Sequence, residues 1–328
     1  MKAPYANQLI RLIIFAIILV LLGKYITDHW KDFSFISTIR WTILVPVVLL
    51  TLVSYLLETF RYFLVVREME TSVPFEDVFR HLIVARFLNK LVPQSGIVYR
   101  AHAFKKENAV SYSRFIASFT AFVWLDLVLT IIISTAIVAL YQPNLSVQDY
   151  PLLPLLLAFS FLLLFITFLS RRIPTRMGSE IEANSNMSHS PKALYRLIGQ
   201  IGFTFELARK PWLLLSGGLI IIANISVSVW RMFFLFQMIG VDAKISELAL
   251  FVGLNRVSNV LVVTPGNLGI VEGSYGILSG AIGLGVAQGV TVALTLRVAA
   301  FIILGCLSAM LLFFQNQKKS GFLLKKKE

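Results

Sequence analysis

Long unbroken apolar stretches alternate along this chain with short charged ones. The pattern has neither the period of two of a half-buried strand nor the one-sided stripe of a surface helix. Six stretches, at about 10–26, 41–63, 113–141, 152–170, 212–239 and 286–314, are long enough to cross about 30 Å of hydrocarbon as helices. Because the runs are continuous and not alternating, a β-barrel is excluded. Two further stretches are interrupted. Residues 75–92 form a charged amphipathic segment that ends at Pro93-Gln94-Ser95-Gly96, and 245–263 lead into Pro265-Gly266-Asn267-Leu268-Gly269. Each predicts a helix, a break, and a second helix turning back.

The two breaks are related. Gly96-Ile97-Val98 and Gly269-Ile270-Val271 are the same triplet 173 positions apart, each followed shortly by a charge, Arg100 or Glu272, and then by a long apolar span. Short Pro/Gly-interrupted segments at matching places in two halves mark the binding region of many transporters. The expectation is an all-α polytopic membrane protein forming one transmembrane domain over 1–328. It has about six full spans plus two re-entrant, broken helical hairpins, with repeats at about 41–141 and 212–314 and a cytoplasmic linker at about 171–210.

Charge sets the orientation. Arg171, Arg172, Arg176, Lys192, Arg196, Arg209 and Lys210 crowd the linker, and Lys318, Lys319, Lys325, Lys326 and Lys327 crowd the tail. Both therefore belong inside. The loop 142–151 has no Lys or Arg, and 240–246 has only Lys244, so both belong outside. The loop 24–40 is expected outside although it is basic. Three spans separate the breaks, so the two hairpins enter from opposite faces and the repeat is inverted. Both termini are then cytoplasmic, in a cell (inner or plasma) membrane. Residues 10–26 follow Lys2 and Arg11 like a signal peptide, but no small-residue cleavage site follows, and an uncleaved span is expected. Residues 173–190 read as a loop and 194–208 as an interfacial helix.

With 57% hydrophobic and 14% charged residues and a mean hydropathy of +0.78, no soluble class fits. A net charge of +13 would suit nucleic acid, but it lies in loops flanking spans, where anionic headgroups account for it. No nucleic-acid partner is expected. Four scattered histidines and the single cysteine, Cys306 within a span, predict neither metal site nor disulfide. No cofactor is expected. Gly-x-Ser-x-Gly, HExxH, Walker and dinucleotide-binding patterns do not occur, so no catalytic residues are expected.

Polar residues within spans carry the candidate chemistry. Asp126 and Arg297 lie near the middle of the third and sixth spans, and the Gly-Ile-Val offset brings them within two positions of one another. A charge at helix centre costs roughly 2.5–3.5 kcal/mol, so each is paired, hydrated or functional. One reading is a structural Asp126–Arg297 bridge between the repeats, and the other is contact with a substrate headgroup. Amides freed at a break form an anion site, which Gly266 and Gly269 would let a ligand approach. Arg100 suits bidentate phosphate contact, or is a solvated cytoplasmic residue. Glu272 repels phosphate, so it either caps the resumed helix or pairs with a cationic headgroup, Arg256 or Arg100. Arg256, Asn255 and Asn259 on one arm, and Arg86 and Asn89 on the other, face inward or tie the hairpins to their neighbours. Glu58 and Arg61 read as an intrahelical pair, and Trp230-Arg231 as an interfacial anchor.

At Thr264-Pro265-Gly266-Asn267-Leu268-Gly269-Ile270-Val271-Glu272-Gly273 the chain resembles the transmembrane region of lysylphosphatidylglycerol synthases, the multiple peptide resistance factors and their flippase-like relatives. The Pro-Gly-Gly-x-Gly-x-x-Glu stretch of that family is similar here, with Asn267 in place of the second glycine. An Arg after a Gly-x-x-Tyr/Phe pattern resembles Gly96–Arg100. The resemblance covers essentially the whole chain and implies about eight membrane helices including re-entrant hairpins, and movement of modified phospholipids between leaflets. The family's C-terminal lysine-transferring domain is not expected here, as the sequence stops at Glu328, so no synthase activity is expected. The leading expectation is a flippase for a phospholipid or lipid-linked phosphate-bearing substrate. Its headgroup would lie between the hairpins against Arg100, Asp126, Arg256, Asn259, Gly266, Asn267, Gly269, Glu272 and Arg297. A separate lipid-modifying enzyme is an expected partner. The alternatives are a membrane-embedded transferase acting on a lipid or isoprenoid-linked substrate and a non-transporting scaffold.

Overall fold

The computed structural model describes residues 40–68, 73–92, 94–147, 150–169, 210–258 and 269–325. The expected span at 10–26, the loop 173–190, the interfacial helix 194–208, Pro93, and the tip containing Pro265, Gly266 and Asn267 lie outside them.

After a short 3-10 turn, α1 (Leu44–Arg67) is followed by α2 (Phe75–Leu91), α3 (Ser95–Asn108) and α4 (Tyr112–Tyr141). A two-residue antiparallel pair, β1 (Ser146–Val147) with β2 (Tyr150–Pro151), turns the chain into α5 (Leu152–Leu169). The second half comprises α6 (Pro211–Met238), α7 (Ile245–Ser258), α8 (Ile270–Ala281) and α9 (Val286–Lys325). Five segments, Trp41–Arg67, Arg114–Tyr141, Leu152–Leu169, Pro211–Met238 and Val286–Phe314, are long and apolar enough to cross a membrane. They match five of the six expected spans. The protein is an all-α polytopic membrane protein.

Local chemistry explains the elements. Pro211 opens α6 at a position where its missing N–H costs nothing. Glu76 and Asp77 sit in the first turn of α2, where the helix dipole favours carboxylates, and Ser111 caps α4 by accepting from the Arg114 N–H. Hydroxyls within the spans return to their own helix: Thr51 donates to the Val47 carbonyl at 2.7 Å and Thr59 to that of Tyr55 at 2.8 Å. Apolar surroundings demand this, since an unpaired hydroxyl there has no water to bond. Phe161, Phe168, Leu155 and their neighbours on α5 point outward, as a hydrocarbon solvent permits.

The two halves pack as exchanged partners. Helix α1 runs antiparallel to α6: the Arg40 N–H donates to Met238 O at 3.2 Å, and at the other end Val65 packs with Leu213. Helix α2 lies against α9, where Phe87 meets Phe301 with ring centroids 5.5 Å apart. Reciprocally α7 lies against α4, where the Ser134 hydroxyl donates to Gly253 O at 2.8 Å.

Each short pair begins and ends at one end of the bundle. Phe75 stacks edge-on against Phe63. Helix α3 is tied back to α2 by Arg80 to Glu107 and by Asn108 to Asp77, so α2 and α3 share the Arg67 end of α1. Leu250 and Leu254 of α7 and Leu278 of α8 pack with Leu145 and Leu156, at the opposite end.

Candidate functional site

The sequence places a polar stripe on each wall of a central cavity of about 380 Å³. On α1 the stripe is Thr51, Ser54, Tyr55 and Glu58, and on α6 it is Asn224, Ser228 and Arg231. Both follow the i, i+3/i+4, i+7 spacing of one helical face. Arg86 and Lys90, one turn apart, come from α2; Asn255 and Arg256 from α7; Asp126 from α4; Tyr275 from α8; and Arg297 from α9. Both halves therefore supply the walls.

Its charges are only partly paired. Arg86 is bridged to Glu58, and the Arg297 Nε donates to Glu272 Oε1 at 2.5 Å. Asp126 is bridged at 2.5 Å to Arg61, which stands outside the cavity. Among the described residues no carboxylate pairs with Lys90, Arg231 or Arg256. Arg256 bonds the neutral Asn224 side chain, whose amide donates to Ser54 at 3.0 Å. The Arg231 Nε is buried without a partner among the described residues.

Several expectations are corrected. Asp126 and Arg297 both face the cavity, but they do not bridge one another: each finds its partner within its own half. Glu58 and Arg61 are not an intrahelical pair, since each reaches across to another helix. Arg231 lines the cavity, and only its neighbour Trp230 is turned outward, 52% exposed.

Arg100 does not line the cavity. It is buried, with its guanidinium 4.8 Å from the centre of the Phe119 ring and 5.6 Å from that of Tyr62. It is therefore not a solvated cytoplasmic residue. Glu272 is wholly buried behind Arg297 and also accepts from the Gly269 N–H at 2.7 Å, closing the start of α8. At the other break the Gly96 N–H donates to Asn89 at 2.8 Å. These two amides at the breaks are thus already bonded. Asn259, Gly266 and Asn267 lie outside the described residues.

Sequence reasoning missed Lys90 and the Asn224–Ser228–Arg231 face. The signal for the second was present, as polar residues recurring at helical spacing within an apolar span; Lys90 stands one turn after Arg86 on an already charged helix.

A second, water-sized pocket of about 10 Å³ lies among Leu64, Val65, Phe122, Leu129, Leu213 and Gly217, and Arg61 and Asp126 line it too. Asp126 thus lines both spaces, and its partner Arg61 only the smaller one. A double-mutant cycle of Arg61→Gln with Asp126→Asn, read from reversible unfolding in mixed micelles, should give a coupling on the order of 1 kcal/mol. The Asp126/Arg297 cycle should give less than about 0.5 kcal/mol.

The described residues contain no group of three or more His, Cys, Asp or Glu able to hold a metal. No curated protein and no solved structure matches the chain significantly. The family model for the lysylphosphatidylglycerol synthase TM region matches residues 8–308, and the chain accordingly belongs to that family.

Proposed function

We propose that the protein moves a phosphate-bearing lipid between leaflets, the headgroup passing through the central cavity while the tails stay in the bilayer. The observation that carries this reading is the excess of cations in a cavity whose walls come from both halves. Buried cations without counter-ions are costly in a membrane, and an anionic headgroup supplies the missing charge. The exchanged packing of the halves supports an inverted repeat, and the shared ends of α2 with α3 and of α7 with α8 support re-entrant hairpins entering from opposite faces. No synthase chemistry is part of this reading.

The orientation follows from charge. Arg67, Arg80, Lys105, Lys106, Arg114 and Lys210 gather at one end of the bundle, against Arg40 and Lys244 at the other. The first end is cytoplasmic, and the N- and C-termini lie on that side of a cell membrane. In a Cys306→Ser background, Asn144→Cys should react with an impermeant maleimide in intact cells, and Lys106→Cys only after permeabilisation. Labelling of both in intact cells sinks the inverted arrangement.

The transport reading is tested with purified protein in liposomes carrying fluorescent phospholipids. Dithionite bleaching of inner-leaflet label should be faster than in protein-free vesicles. No acceleration across zwitterionic and anionic lipids rejects translocation, and product formation from a nucleotide-sugar donor would instead establish a transferase.

A further inference from the structure

The charge balance of the cavity says more about its ligand than that it carries phosphate. Lys90 enters from the first half, and Arg231 and Arg256 from the second. Glu58, Asp126 and Glu272, the nearby carboxylates, are each held by another arginine. The joining residues 259–268 contain no ionisable side chain. Among the described residues, three cations lining the cavity thus have no carboxylate partner, and one of them has a buried Nε with no hydrogen-bond partner there. A phosphodiester headgroup supplies a single negative charge and would leave two of them uncompensated in a low-dielectric site.

We propose, resting on the translocation reading above, that the cavity selects a lipid with a terminal phosphate carrying two or more negative charges, a phosphomonoester or a diphosphate. It discriminates against phosphodiester lipids and rejects headgroups bearing an added amine. The fork of Arg256 and that of Arg231 suit a terminal phosphate, which offers three oxygens to donors on more than one side. Lys90 adds a point charge from the first half. Thr51, Ser54 and Ser228 place hydroxyls around the same space, and these suit phosphate oxygens left over by the cations. A lysine or other amine on the headgroup would meet three like charges.

Binding of short-chain lipids to the full-length protein in detergent tests this directly. The panel is dioctanoyl phosphatidic acid, farnesyl phosphate, dioctanoyl phosphatidylglycerol, dioctanoyl phosphatidylcholine, lysyl-phosphatidylglycerol and inorganic pyrophosphate. Measurements at about pH 7 lie above the second phosphate pKa of about 6. Phosphatidic acid, farnesyl phosphate or both should bind roughly tenfold or more tightly than phosphatidylglycerol. Whichever of the two binds identifies a glycerolipid or an isoprenoid source.

Arg256→Gln should erase most of that preference, and Lys90→Gln, which breaks no side-chain bond among the described residues, should do so if the first variant folds poorly. Equal binding of phosphatidylglycerol, or preference for the lysyl lipid or phosphatidylcholine, overturns the proposal. Pyrophosphate binding as tightly as both lipids reduces the cavity to a free-phosphate site and overturns it too. If the preference holds but no lipid crosses in liposomes, the translocation reading fails alone. If lipids cross without regard to charge, translocation survives and this inference falls.

Discussion

Glu272→Gln should unfold a large fraction of the protein at temperatures the wild type survives. The carboxylate is 0% exposed and makes two bonds at once, accepting from the Gly269 N–H at 2.7 Å and from the Arg297 Nε at 2.5 Å. Gln keeps the shape and an acceptor oxygen, so the cap on α8 survives in part. The charge does not survive, and Arg297, whose side chain is 18% exposed, loses the carboxylate at its Nε. Removing one partner of a buried pair costs about 3–5 kcal/mol, because the remaining charge is stranded away from water. The check is the fraction of monodisperse protein left after heating in detergent. Adding Arg297→Gln to Glu272→Gln should recover a good part of the loss, since two neutral amides can bond one another. A double variant worse than the single would mean that Arg297 has another, stronger role in holding the fold.

The second large effect lies at the first break. A methyl group on Gly96 would stand 2.2 Å from the Ala85 carbonyl oxygen and 2.8 Å from the Asn89 side chain. Both neighbours belong to α2, so α3 crosses α2 at a distance that only glycine allows. Backbone cannot rotate aside as a flexible side chain does. Gly96→Ala must therefore push the two arms apart and lose the bond from the Gly96 N–H to Asn89. Overpacking alone costs about 1–3 kcal/mol, and the lost bond to a half-buried partner adds to it. Gly273, in the first turns of α8, is the matched control, because a methyl group there meets nothing within 4 Å. Gly273→Ala should be neutral or stabilise by up to about 1 kcal/mol, as alanine favours a helix interior. Equal loss of folded protein in both variants would show that the close crossing of α2 and α3 is not what makes Gly96 necessary.

The spans, the two interrupted segments and their order are legible in the primary structure, and the reason lies in the solvent. Hydrocarbon offers no hydrogen bonds, so each crossing segment must be an apolar helix long enough to reach across. That requirement acts on consecutive residues and leaves its record in consecutive residues. Pro and Gly at a break act through local backbone geometry in the same way. Arg256, Asp126 and Arg297 were recognisable as cavity residues because charge in an apolar helix is too costly to be idle.

Which charges meet is another matter. Sliding one half onto the other suggested Asp126 with Arg297, yet Asp126 takes Arg61 and Arg297 takes Glu272. Pairing depends on which faces of α1, α4, α8 and α9 turn toward one another, and that rotation is set by packing among helices far apart in sequence. Arg100 shows the same division. Its charge is plain from the chain, but only the folding of α3 against α1 and α4 places it between two aromatic rings and outside the cavity. The same holds for Lys90, Arg231 and Arg256, which line one cavity only because α2, α6 and α7 converge on a common space. Composition determined that this protein lives in a membrane, because consecutive apolar residues carry that record; the three-dimensional packing decided which polar side chains share its interior cavity.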